Sequence, residues 1–325
     1  MKSTHIIEAL GLLYDTKRPA FIWGAPGIGK SDTIRSFVQS RGVAYIDFRA
    51  IYREPVDMRG IPSVLDGHTV YNPPAELPQS GEGVLCLEEL NSAPPATQAA
   101  CYQLVLDRCI GDYRLPDGWR IFAAGNRESD RGVTFKMPTP LANRFVHLDY
   151  EVDLADWSTW AVTHGIRAEV IAFLRFRQEL LHNFDPQSAS KAFPTPRSWQ
   201  FVSEILAAGP SPEIEHEIYK GTVGEGAAAE FVGFLRVFRT LPSPDAILMN
   251  PAMAEVPTAP ATLFALCTAL ARRATDANFD RIVTYANRMA SEFSTCLISD
   301  AVRRTPALQS TGAFTTWAAT HGTLI

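Results

Sequence analysis

Residues 20–31 read AFIWGAPGIGKS: four apolar residues, then G-x-x-x-x-G-K-[ST], and from Ser31 onward a helical pattern, SDTIRSFVQ. Glycines at these positions let the backbone turn so that successive N–H groups converge. The following helix presents its N-terminus to the same point, and together they make a cradle for phosphate oxygens. A match of this kind arises by chance in a chain of this length about once in a hundred, taking glycine as about 7% of residues. A glycine turn with an incidental lysine is the competing reading, and the strand–loop–helix setting weighs against it. The candidate nucleotide-binding residues are therefore Gly24, Ala25, Pro26, Gly27, Ile28, Gly29, Lys30, Ser31 and Asp32. Lys30 is expected to neutralise the β and γ phosphates of ATP and Ser31 to hold Mg²⁺.

Working outward, short apolar runs alternate with helical patterns as far as residue 150, which predicts a parallel sheet with crossover helices. Five strands are expected, at 20–23 (AFIW), 43–48 (VAYIDF), 84–87 (VLCL), 120–124 (RIFAA) and 145–148 (FVHL), each buried on both faces. Helices are expected at 4–14, 30–40 and 95–109, the last opened by a proline. The stretch 50–79 holds five prolines and reads as an irregular insertion with at most a short hairpin or helix, suited to a substrate-facing loop. Beyond Tyr150 only helical spacing appears, as in Phe231, Phe234, Leu235 and Phe238, or Leu263, Leu266, Cys267 and Leu270. The expected architecture is α/β, a five-stranded P-loop domain over 1–152 followed by an all-α lid and C-terminal extension over 153–325. The tail after Thr305 lacks a pattern, with Trp317 as its one large anchor.

Phosphoryl transfer needs more than a cradle. The run VLCLEEL places Glu88 and Glu89 directly after a strand, where the first can hold the Mg²⁺ shell and the second can orient or deprotonate the attacking water. By themselves two glutamates after an apolar run are common, and their position one crossover beyond the loop gives them weight. RIFAAGN ends in Asn126, an amide able to position water without adding charge, although asparagine is also an ordinary turn residue. Arg144 in PLANRF and Arg197 in TPRSWQ are candidates for balancing charge in the transition state. Surface and helix-start readings compete for both, and Arg127 and Arg131 are alternatives for the finger.

The ordered set GAPGIGKS, VLCLEEL, AAGN, PLANRF and TPRSW resembles the AAA+ ATPases, and within them the MoxR branch that includes CbbQ-type and GvpN-type proteins. The resemblance covers residues 1 to about 205, and REPVDMRGIP at 53–62 is similar to the region where MoxR proteins carry an insertion. It implies a homo-oligomeric ring, usually hexameric, with ATP between subunits. Arg144 would reach the neighbour's γ-phosphate, and Arg197 would sense nucleotide from the lid. It also implies a partner carrying a von Willebrand factor A domain and a chaperone-like role in remodelling or activating a protein complex. One departure stands out: the family commonly has Asp-Glu where this chain has Glu88-Glu89.

The 325 residues, 46% hydrophobic and 20% charged, fit an ordinary globular enzyme with a sizeable core. A net charge of −5 disfavours a surface built for nucleic acid, without excluding a local basic patch. No run of 18 apolar residues occurs, and IIEALGLLY near the start lacks the marks of a secretion signal, so a cytoplasmic protein is expected. Cys86, Cys101, Cys109, Cys267 and Cys296 have no C-x-x-C spacing and read as free thiols, and the seven histidines are scattered. The rival functions are a nucleic-acid motor or loader of the same fold and, more remotely, a P-loop kinase acting on a small molecule.

Overall fold

The apolar run after Pro19 forms β1 (Ala20–Trp23), and four further strands lie parallel to it: β2 (Ala44–Arg49), β5 (Glu82–Glu88), β8 (Gly118–Gly125) and β9 (Val146–Asp149). Between β2 and β5 the chain forms a hairpin of β3 (Ile61–Leu65) and β4 (His68–Asn72). Between β5 and β8 comes a smaller one, β6 (Cys109–Ile110) with β7 (Tyr113–Arg114). The large sheet has the order β2-β5-β8-β1-β9. This computed structural model describes residues 1–130 and 134–321.

Trp23 pairs with Gly125 and Asp149, and Glu88 with Ala124 and Arg49, so all five strands end on one level. The expected strands are all present, β1 with the expected ends and the other four with ends displaced by one or two residues. Burial on both faces holds for β1, β5 and β8 alone: Phe21, Ile22, Leu85, Leu87, Phe122 and Ala123 are all sealed from solvent. Burying each large apolar side chain contributes about 1.5–3 kcal/mol. β2 and β9 stand at the two edges of the sheet and expose much of their length, which corrects the expectation for them.

On the sheet pack α2 (Lys30–Arg41) and α4 (Pro95–Asp107), with α1 (Ser3–Asp15) against α2 and the short turns α3 (Pro55–Arg59) and α5 (Thr139–Ala142) against α4. The helix expected to run to Cys109 stops at Asp107, because Arg108 turns left-handed (φ 56°) and Cys109 pairs with Arg114. In the 50–79 insertion both a helical turn and a hairpin form. Asp66 (φ 49°) and Gly67 (φ 77°) make the two-residue turn with both φ values positive that matches strand twist.

The chain divides into two compact units, Met1–Asp153 with Asp185–Ser188, and Leu154–Phe184 with Ala189–Ile325. Within the described residues the second holds ten α-helices, two short 3-10 turns and no strand. One of its cores stacks Phe173, Trp199, Tyr219 and Phe231, with neighbouring ring centroids 5.2–5.5 Å apart. Another gathers Leu263, Leu266, Leu270, Leu297 and Trp317. Trp317 lies on a helix, Gly312–His321, that the unpatterned tail does not announce, and its Nε1 donates to Ser294 Oγ at 2.9 Å. Among the described residues no helix is long and apolar enough to cross a membrane.

Candidate functional site

Because the strands end level, whatever follows them is delivered to one edge of the sheet. The loop 24–31 leaves β1 there and is tied to β8 by Gly24 N donating to Gly125 O at 3.3 Å. Gly27 (φ 74°) and Gly29 (φ 94°) take left-handed backbone conformations, and a Cβ at Gly29 would meet nothing within 4 Å. Conformation therefore requires glycine at Gly29, and the space beside it is open. Gly24 is glycine for the other reason, since a Cβ would press on Ile28 and on Tyr150 O. Ala25 and Ile28 are buried supports, while Pro26, Ser31 and Lys30 are half-buried. Lys30 Nζ donates to Gly24 O (2.8 Å), Ala25 O (2.9 Å) and Asn126 Oδ1 (2.8 Å), joining the loop to the end of β8. Asp32 stands apart, exposed and paired with Arg35 at 3.2 Å.

Glu88 and Glu89 leave the end of β5. This strand is not hydrogen-bonded to β1, as a neighbouring acidic strand would be, because β8 lies between them. Strand spacing puts the two about 10 Å apart. Glu88 is 6% exposed. It accepts from the Tyr45 hydroxyl at 3.3 Å and from Cys86 Sγ at 3.5 Å, and among the described residues no cation pairs with it. Burial, then the charges of Cys86 and Glu88, push the Tyr45 phenol well above its ordinary pKa, and burial does the same to Cys86. A buried carboxylate facing only weak neutral donors is costly and gains from a cation. Among the described residues no group of three or more acidic, histidine or cysteine side chains could hold a metal alone. The donor set fits Mg²⁺, which takes one or two protein oxygens and completes its shell with phosphate and water. Glu89 is exposed and left-handed (φ 53°, ψ 35°), a conformation rare for a side chain of its length and concentrated at working sites.

Asn91, which the sequence does not single out, is 1% exposed. Its Nδ2 donates to Asn126 O at 2.7 Å, bracing the strand end from below, and its Oδ1 has no hydrogen-bond partner. The signal available in sequence, an asparagine two residues after Glu89, reads as an ordinary turn residue.

Arg127 is held within its own chain by Asp149 (3.5 Å) and Tyr150 O (3.4 Å). Arg131 lies outside the described residues. Arg144 precedes β9, whose first residue donates from Val146 N to Pro19 O at 2.8 Å. It therefore sits at the opposite edge of the sheet, roughly 13 Å of strand away from the loop. Arg197 belongs to the second unit, exposed on the first turn of the helix Pro196–Ala208.

No protein-family model and no curated protein sequence matches the chain. Solved structures match in shape. NtrX from Brucella abortus aligns at 16% identity and a TM-score of 0.43 over 91% of this chain and 67% of that one. The same protein in complex with ATP aligns at 14% and 0.42 over 99% and 67%. A point mutant of RuvB from Thermotoga maritima aligns at 14% and 0.42 over 82% and 81%. At these identities and scores the likenesses carry no inference about activity. The fold stands on its own geometry. It is a parallel five-stranded P-loop sheet with flanking helices, followed by an all-helical unit.

Proposed function

We propose that the chain binds ATP with Mg²⁺ at the loop 24–31 and hydrolyses it, as an AAA+ ATPase of the MoxR type. The observation that carries this reading is the 2.8 Å contact of Lys30 Nζ with Asn126 Oδ1, which gathers the phosphate loop and the water-positioning amide at one sheet edge. In this reading the loop amides and Lys30 hold the β and γ phosphates. Ser31 and Glu88 hold the metal, which supplies charge neutralisation at the phosphates when bound. Glu89 accepts the proton of the attacking water, and the Asn126 amide orients that water. Arg144, at the far edge, serves the nucleotide of a neighbouring copy in a ring, and Arg197 answers to the nucleotide state. Hydrolysis over 1–152 would then drive motion of the helical region 153–325 and remodelling of a protein partner in the cytoplasm, with a von Willebrand factor A domain as the partner the resemblance implies. The deciding experiment compares Glu89→Gln and Lys30→Ala with wild type. Loss of the base lowers turnover by about 10²–10⁴-fold while ATP still binds, and loss of the lysine removes binding as well. Turnover near wild type in ATP-bound Glu89→Gln protein would overturn the assignment of the base.

A further inference from the structure

At the N-terminal edge of the sheet, opposite the loop, lies a cavity of about 190 Å³ lined by Lys17, Arg18, Arg108, Arg120 and Arg144 over an apolar floor that includes Ile121. Among the described residues none of these five cations forms an ion pair. Arg108 and Arg120 are half-buried and fixed by neutral oxygens. Arg108 Nη2 donates to Pro116 O (2.8 Å) and Trp119 O (3.0 Å). Arg120 Nε donates to Tyr14 O (2.8 Å), its Nη1 to Asp117 O (2.7 Å), and its guanidinium lies 5.0 Å from the Tyr14 ring centroid. Carbonyl oxygens orient a guanidinium without cancelling its charge. Burial and, next, the charge of Arg120 lower the pKa of Arg108, and Asp117 opposes this without an ion pair. Two of the lining residues, Lys17 (φ 57°) and Arg108 (φ 56°), also adopt left-handed backbone conformations.

Satisfying carbonyls at the end of α1 and around the start of β8 accounts for the backbone bonds of Arg108 and Arg120. It leaves unexplained why Lys17, Arg18 and Arg144 gather at the same hollow, where five like charges repel one another. An anion with several charged oxygens relieves that repulsion and accepts from forked guanidinium donors and ammonium groups at once. We infer that this cavity binds a multiply charged phosphate anion, free or as the phosphate tail of a nucleotide. The inference does not rest on hydrolysis at the opposite edge, and an anion held here would compete with the role proposed for Arg144 at a neighbouring copy's nucleotide.

The test uses Lys30→Ala protein, so that the loop 24–31 does not compete, and titrates it calorimetrically with sodium pyrophosphate and separately with ATP. Pyrophosphate binds, and Lys17→Gln/Arg18→Gln, two exposed positions whose loss leaves the fold intact by circular dichroism, weakens it about tenfold or more. Binding of pyrophosphate alone identifies a free anion as the ligand. Binding of both, each weakened by the double substitution, identifies the phosphate tail of a nucleotide. Absence of pyrophosphate binding, or binding that the double substitution leaves unchanged, overturns the inference.

Discussion

At Gly125 the chain has no room for a methyl group: a Cβ would lie 2.1 Å from Asn91 Oδ1 and 2.8 Å from Phe21 Cζ. Both neighbours are fixed, Phe21 in the sheet core and Asn91 by its bond to Asn126 O. Gly125→Ala must therefore displace Asn91 or lift the end of β8, and either movement shifts the amide that meets Lys30. The expected cost is about 1–3 kcal/mol of stability from overpacking, read as a lower urea midpoint, together with weaker ATP binding. A variant destabilised to that extent with unchanged ATP affinity would show that the β8 end does not position the loop. Asn91 also marks what a sequence conceals at this scale. Lys30, Glu88, Glu89 and Asn126 follow strand ends and can be placed on one edge by order alone, whereas the brace beneath Asn126 is a contact made only in three dimensions.

At the scale of elements, legibility followed burial. β1, β5 and β8 are covered on both faces and so read as apolar runs, although β5 and β8 extend one or two residues beyond them, while the edge strands β2 and β9 expose much of their length against the expectation and are shifted by one residue. The short hairpin allowed for in the proline-rich stretch forms as β3 and β4, but its strands could not be placed in advance, because Ile61, Val64 and Leu65 are solvent-exposed and no buried face imposes an alternating pattern. The helix Gly312–His321 escaped because Trp317 is its only buried side chain. Helix ends were clearest where a cap is written in the sequence, as at TPRSW. There the Thr195 hydroxyl accepts from Ser198 N at 3.0 Å, and the Ser198 hydroxyl accepts from Thr195 N at 2.8 Å. Thr195→Ala removes that cap from the helix bearing Arg197 and Trp199, and is expected to cost about 1 kcal/mol. Thermal unfolding measures it, and a loss well under about 0.5 kcal/mol would mean that the Trp199 core holds the helix without its cap.

For the whole molecule, the buried thiols and phenols set a limit on alkaline stability. Burial pushes Cys101 up to about 12 and Cys296 up to about 11, and it raises Cys86 and Cys267 well above their ordinary value. Tyr113, Tyr219 and Tyr285 are each pushed up to about 12, again chiefly by burial. In the unfolded chain these groups lose their protons near 8.5 for cysteine and about 10 for tyrosine. Between those values and the folded ones, the folded state binds more protons than the unfolded state, so stability falls as pH rises. The contribution is complete below pH about 8.5 and is lost progressively above it, with Cys101 alone adding a slope of about 1.4 kcal/mol per pH unit until its folded pKa is reached. Urea midpoints under reducing conditions are therefore expected to hold level from pH 7 to 8 and to drop steadily from pH 9 to 10.5. Cys101→Ala, compared with wild type, should show a shallower fall over the same range. A midpoint that stays flat to pH 10.5 would mean that the thiols reach solvent and titrate in the folded protein as they do in the unfolded chain.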